Sequence, residues 1–277
     1  MQDLINTGVY PITEPDSAAG RVLAQRCAEQ LRNNSALLLP GFLSAGIVQE
    51  LRTEVDALQA GAHRMRGAFS PYSDDLSEGG NRCLPENHPR RCKLPASHRF
   101  IAGDLIPPAS PVRRLYQSPV FQTFAARVLG EERVCPVEVM AAVNYLLYAP
   151  GDCNGWHFDT TRYVISLALQ LPDAGGEYEY LPELRSAQHE NHAAVAWRMR
   201  HPDAPAGVRR AALTPGALFF FRGLHTLHRV KPVRGARDRI MAILSYHHQP
   251  GHITSDSSKR AMYGRTAPLA PAHRAGG

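Results

Sequence analysis

Between Asn154 and Tyr180 the chain reads NGWHFDTTRYVISLALQLPDAGGEYEY, and this stretch restricts what the rest can fold into. The apolar run VISLALQL has strand character and stops at Pro172. His157 and Asp159 stand two residues apart at its head. In an extended chain, residues i and i+2 project to the same face, so an imidazole and a carboxylate converge on one side of a sheet. A third donor is available at His228, in FFFRGLHTLHRVKP, just past another apolar run, with His225 as a nearby competitor. Thirteen histidines make an isolated HxD pair a weak signal. Its place after a turn and at the head of a strand sharpens it.

Two imidazoles and one carboxylate on one face leave coordination positions open. That donor set suits ferrous non-haem iron, which accepts imidazole nitrogen and carboxylate oxygen together.

A site of this kind needs an enclosing sheet, and the chain supplies the strands. VCPVEVMAAVNYLLYAPGD, VISLALQL, GGEYEYLP, ALFFFRG and RIMAILSY all read as strands, without the strand–helix alternation of a parallel sheet. The 22 prolines and 22 glycines fit a turn-rich β fold. An antiparallel barrel or double-sheet jelly roll with flanking helices is expected. ALQLPDAGGEYEYLP suggests a hairpin, with Glu177 and Glu179 on one face and Tyr178 and Tyr180 on the other. Ahead of the strands, AAGRVLAQRCAEQLRNN and AGIVQELRTEVDALQAG carry apolar residues at helical spacing, the second capped by Ser44. Residues 62–110 show no sustained periodicity and are expected to form a long loop, read as a lid over the active site with an ordered surface excursion as the alternative. The expected organisation is a buttress with its lid over 1–130, a catalytic core over 131–265 and a disordered tail over 266–277, in one structural domain.

The quoted segments together, GWHFD, SLALQL, GGEYEYLPELR, TPGALFFFRG, LHTLHRVKPV and DRIMAILSYHHQPG, resemble the Fe(II)- and 2-oxoglutarate-dependent dioxygenases. They are most similar to the branch of radical halogenases and hydroxylases that act on free amino acids and related small metabolites. The likeness covers about residues 140–265. It implies a double-stranded β-helix, a cupin-like jelly roll, holding Fe(II) on His157, Asp159 and His228. It implies 2-oxoglutarate as co-substrate, its far carboxylate paired with an arginine after the distal histidine. Arg237 and Arg239 compete for that task, and Arg239 opens RIMAILSY at the spacing of the family. Asn144 and Tyr145, on the strand before the motif, are further candidates for holding the oxo acid. Trp156, Gln170, Glu177 and Arg185 are candidate substrate contacts. Halogenases of the branch carry a small residue in place of the carboxylate ligand. Asp159 fills that position, so the resemblance implies hydroxylation of a small molecule by dioxygen, with release of succinate and CO2.

Composition limits the alternatives. A net charge of +6 raises the question of nucleic acid, but the basic residues are dispersed, and no aromatic sandwich for a flipped base is evident. A nucleic-acid demethylase with the same cofactors, a non-catalytic metal-binding barrel and a cupin-type metalloenzyme remain as alternatives. Five cysteines without a CxxC pair fit a reduced compartment. The N-terminus lacks the marks of a signal peptide and no apolar run reaches the about 20 residues of a bilayer span. A cytoplasmic protein is expected.

Overall fold

The computed structural model describes residues 1–72 and 83–269. Its centre is an eleven-stranded sheet in which every pairing is antiparallel. One wing runs Ala36–Leu39, Leu218–Phe221, Val164–Gln170, Arg239–Leu244 and Val143–Tyr148. The other runs Cys153–His157, Leu227–Val230, Tyr178–Leu181 and Arg209–Arg210. Leu94–Ile101 joins them: Arg99 to Ile101 pair with Val143–Tyr148, whereas Ala96 and Ser97 pair with Cys153–His157. A single strand shared by two wings folds the sheet over on itself, which is the double-stranded β-helix.

Side-chain alternation explains the helical layer. On Val143–Tyr148, Val143, Tyr145 and Leu147 face outward, into the same core as Leu167, Leu169, Leu218, Phe220 and Ile240. Helices Ala18–Asn34 and Ala45–Leu58 cover that face with Cys27, Leu31, Leu51 and Val55. Each fully buried Leu, Val or Phe stabilises this layer by about 1.5–3 kcal/mol. Both helices begin at a serine whose hydroxyl accepts a backbone N–H, Ser17 from Gly20 and Ser44 from Ile47.

Three expectations need correction. The stretch 62–110 is not a plain loop: His63–Phe69 and Leu94–Ile101 pair along their whole length and belong to the central sheet. The β-helix therefore begins well before residue 131. Residues 73–82 of the expected lid lie outside the described residues, as do residues 270–277 of the expected tail. In the tail's described part, the Leu269 N–H donates to the buried Asp104 carboxylate at 2.8 Å, so that segment is tied down. Finally, Val164–Gln170 and Tyr178–Leu181 do not form a hairpin. The first pairs with Leu218–Phe221 and Arg239–Leu244, the second with Leu227–Val230 and Arg209–Arg210. The PDAGG segment crosses from one wing to the other, and Ala174–Gly175 makes a small separate ladder with Val233–Arg234. No described helix is long and apolar enough to cross a membrane.

Candidate metal and oxo-acid site

His157 closes Cys153–His157, and His228 lies directly opposite it on Leu227–Val230. Their rings are 4.1 Å apart. Each Nδ1 points at the carbonyl oxygen two residues back, His157 at Gly155 (2.8 Å) and His228 at Thr226 (2.9 Å). A carbonyl can only accept, so each Nδ1 carries the proton and each Nε2 is left with its lone pair. Both Nε2 atoms face Asp159 Oδ1, at 3.6 Å from His157 and 3.4 Å from His228. The three ligand-type atoms all lie within 4.8 Å of one another. His225 is outside this cluster; its carbonyl accepts the Arg185 N–H.

Asp159 is held from behind. Its N–H donates to the Gly223 carbonyl at 3.1 Å, and a Cβ on Gly223 would run into the Asp159 carboxylate. Its Oδ2 is buried with no hydrogen-bond partner. Burial by itself raises the Asp159 carboxyl, but the neighbouring His228 and His157 outweigh it and hold the group well below the usual carboxylate range. Burial, and then the proximity of His228, lowers His157. Two imidazole nitrogens and one carboxylate oxygen are the donor set that binds a divalent cation, and its binding would displace any protons they hold.

Arg239 and Arg237 differ sharply. Arg239 is 3% exposed, its Nε has no partner, and it makes no ion pair among the described residues. Its guanidinium stands 5.3 Å from the centre of the Tyr148 ring. Arg237 is exposed and paired with Asp173 at 2.8 Å. Two tyrosines link the buried arginine to the cluster, since Tyr148 and Tyr178 each feel the charges of both Arg239 and Asp159. Tyr178 also stacks on the His228 ring at 5.5 Å. A buried guanidinium without a counter-ion is costly, which makes this a place for an anion.

The remaining expected contacts separate by strand face. Tyr145 points out of the barrel and hydrogen-bonds Glu54 on the covering helix, so it does not hold an oxo acid. Asn144 faces inward, but its amide donates to the Met140 and Val143 carbonyls and its oxygen accepts from Tyr263 at 2.8 Å. Those bonds fix it as a brace. Trp156 alternates away from His157 and packs with Phe158, Leu181 and Val195, its indole N–H donating to the Pro202 carbonyl at 2.9 Å. Arg185 is engaged by the Leu224 carbonyl, Glu190 and the Phe158 ring face. Gln170 donates to the Asp238 carbonyl at 2.9 Å beside the turn into Arg239. Glu177 is half-buried with Oε2 unpartnered.

Four residues were passed over in the sequence. Gly223 and Tyr178 gave no signal, because what matters in them is a close approach and a ring stack. Asn154 places its Nδ2 3.3 Å from His157 Nε2. His98 is buried, with Nδ1 unpartnered, between the rings of Tyr148 (5.1 Å) and Phe100 (4.9 Å). Asn154, His98, His157 and Asp159 share a cavity of about 1040 Å³ that extends past Phe100 to Tyr263.

The Halogenase D family model matches residues 94–263, more than half of the chain. No curated protein matches by sequence. Among solved structures, the non-heme alpha-ketoglutarate-dependent carbocyclase SnoK from nogalamycin biosynthesis is similar at 15% identity. It covers 89% of this chain and 93% of its own, with a TM-score of 0.54. The epimerase SnoN of the same biosynthesis has 16% identity, coverages of 82% and 81%, and a TM-score of 0.54. A prolyl hydroxylase from Trichoplax adhaerens has 14% identity, coverages of 85% and 96%, and a TM-score of 0.53. The protein thus has the fold of the 2-oxoglutarate and iron(II) oxygenases, and it belongs to the Halogenase D family.

Proposed function

We propose that the protein is an Fe(II)- and 2-oxoglutarate-dependent oxygenase that hydroxylates an unactivated C–H bond of a free amino acid or similar small metabolite. The observation that carries this reading is Asp159 Oδ1 at 3.6 and 3.4 Å from the Nε2 atoms of His157 and His228. A carboxylate in that position completes a three-ligand face for iron and fills the place a halide would need, so oxygen insertion is favoured over halogenation within this family. The Arg239 guanidinium, buried without an ion pair among the described residues, fits the far carboxylate of 2-oxoglutarate, whereas Arg237 is engaged by Asp173.

His157, Asp159 and His228 would hold the metal, and Arg239 the oxo acid. Bound together, ferrous iron and 2-oxoglutarate supply the activation of dioxygen that C–H hydroxylation requires. The chain's own contribution is geometric and electrostatic. The Gly155 and Thr226 carbonyls fix both imidazoles in the tautomer that offers Nε2. Gly223 sets the depth of the Asp159 carboxylate. Tyr178 and Phe221 pack on His228, at 5.5 and 4.8 Å between ring centres, and keep water from that side of the site.

The cavity volume favours a second reading of the substrate. About 1040 Å³ reaches the upper end of what drug-sized ligands occupy and is generous for a single amino acid. A larger metabolite in the same chemistry fits it better. Anaerobic addition of 2-oxoglutarate to the Fe(II) protein is expected to give a visible absorption band. Succinate release in air is then scored across free amino acids and larger metabolites. Asp159→Ala is expected to abolish hydroxylation of whichever substrate is found. No band in the wild type, or wild-type turnover in Asp159→Ala, would end the reading.

A further inference from the structure

The ligand strand Cys153–His157 is not regular. Against Leu227–Val230, His157 lies opposite His228, but Asn154, not Gly155, lies opposite Val230. One extra residue is therefore inserted between Asn154 and His157, which is a β-bulge. In a regular strand, residues three apart point to opposite faces. The bulge turns Asn154 onto the same side as His157, into the cavity, and brings its Nδ2 to 3.3 Å from His157 Nε2. Bulges recur beside active sites because they re-aim a side chain in this way. Gly155 makes the bulge possible: a Cβ there would meet Leu94 Cβ at 2.6 Å and the Pro95 carbonyl at 3.2 Å.

The position of this amide has a chemical consequence. His157 Nδ1 donates to Gly155, so Nε2 is an acceptor, and the Asn154 amide is its donor. With a cation held through Nε2, that lone pair would no longer be available to Asn154. The half-buried N–H would then lose its acceptor while still facing the cavity beside His157. Leaving such a donor unmatched is unfavourable, and an oxygen atom of a ligand bound to the metal beside His157 would replace the lost acceptor.

Resting on the reading of an Fe(II) and 2-oxoglutarate site, we propose that Asn154 is a positioning residue whose amide N–H, aimed by the bulge, hydrogen-bonds an oxygen ligand that the metal would carry beside His157. Two oxygen sources share that chemistry, the oxo-acid carboxylate and dioxygen. The test therefore has two arms, read on wild type, Asn154→Ala and the near-isosteric Asn154→Leu. The first arm is the absorption band and affinity of the anaerobic Fe(II)–2-oxoglutarate complex. The second is the affinity and electron paramagnetic resonance signal of nitric oxide, a dioxygen surrogate, added to that complex.

If the carboxylate is the acceptor, both variants shift the band and weaken 2-oxoglutarate by about two- to tenfold, the worth of one neutral hydrogen bond. If the dioxygen position is the acceptor, the band holds and nitric oxide binding weakens by a similar factor. In either case Co(II) affinity of the metal-free protein stays level or rises, because removing Asn154 frees Nε2. A merely structural Asn154 would instead lower Co(II) affinity in both variants. That result, or variants matching wild type in both arms, overturns the proposal. A wild-type protein that shows no 2-oxoglutarate-dependent band would remove the underlying reading, and the proposal with it.

Discussion

At the scale of single residues, the site depends on what stands behind the ligands as much as on the ligands. Asp159 lies against Gly223 with no room for a methyl group. Gly223→Ala is therefore expected to push the carboxylate out of register and weaken Fe(II) by about 10–100-fold, the usual cost of disturbing a ligand's support. Metal titration of the folded variant checks this; unchanged affinity would mean that Asp159 is not a ligand. His98 gives a different expectation. Burial, and secondarily the nearby His157, lowers it from 6.5 to about 4. Between those values the unfolded chain takes up a proton that the folded chain refuses, so stability held above pH 6.5 is lost as pH falls to about 4. The loss is about 3 kcal/mol at most. In denaturant titrations of the metal-free protein, His98→Phe should flatten the pH dependence in that window; a slope equal to wild type would contradict it. Some residue placements were legible in the sequence. His157, Asp159 and His228 do converge. Of the two arginines weighed after His228, Arg239 is buried and Arg237 is exposed and paired with Asp173. Asn144 and Tyr145 could not both face the barrel, since neighbours on a strand point oppositely. Only the structure says which one does, and that Asn144 is saturated with protein partners.

At the scale of elements, periodicity revealed those that bury one continuous apolar face and hid those that do not. Ala18–Asn34, Ala45–Leu58 and Val164–Gln170 were readable because each packs a regular row of apolar residues into the common core. His63–Phe69 and Leu94–Ile101 were unreadable: HRMRGAF is mostly solvent-facing, and LPASHRFI turns His98 into the cavity where a core residue would be expected. The supposed hairpin failed for a related reason. A Pro-Asp-Ala-Gly-Gly turn looks the same whether it reverses a strand or carries it to the other wing. The correction to Tyr145 can be measured. Its hydroxyl binds Glu54, which also accepts from Ser110 at 2.8 Å, and so fastens the helix Ala45–Leu58 to the sheet. Tyr145→Phe is expected to cost about 1–2 kcal/mol in denaturant unfolding. The 2-oxoglutarate affinity should not change. A weakened oxo acid with unaltered stability would return Tyr145 to the site.

At the scale of the whole molecule, the family match and the folding unit have different limits. The match begins at residue 94, as if the β-helix could stand from there. The packing says otherwise. Leu94–Ile101 has His63–Phe69 along one edge, and Leu218–Phe221 has Ala36–Leu39 along its free edge. The outer face of the larger wing presents Val143, Leu147, Leu167, Leu169, Phe220 and Ile240, and the cover over it includes Leu31, Phe42, Leu51 and Val55 from the first 62 residues. Removing that cover would expose a contiguous apolar face and leave two strand edges open, a combination that drives aggregation. A fragment of residues 94–263 keeps His157, Asp159, His228 and Arg239, every group proposed to bind iron and oxo acid. It is nevertheless expected to be insoluble, or to lack a cooperative thermal transition and the Fe(II)–2-oxoglutarate band. The full chain should show both. Adding back 1–93 as a separate polypeptide should not restore them efficiently, because Ala36–Leu39 and His63–Phe69 must join the sheet as it forms. A soluble 94–263 fragment with the transition and band of the full chain would mean that the first 93 residues are an appendage. The metal site would then be held by the β-helix alone, not by the helix-covered sheet as a unit.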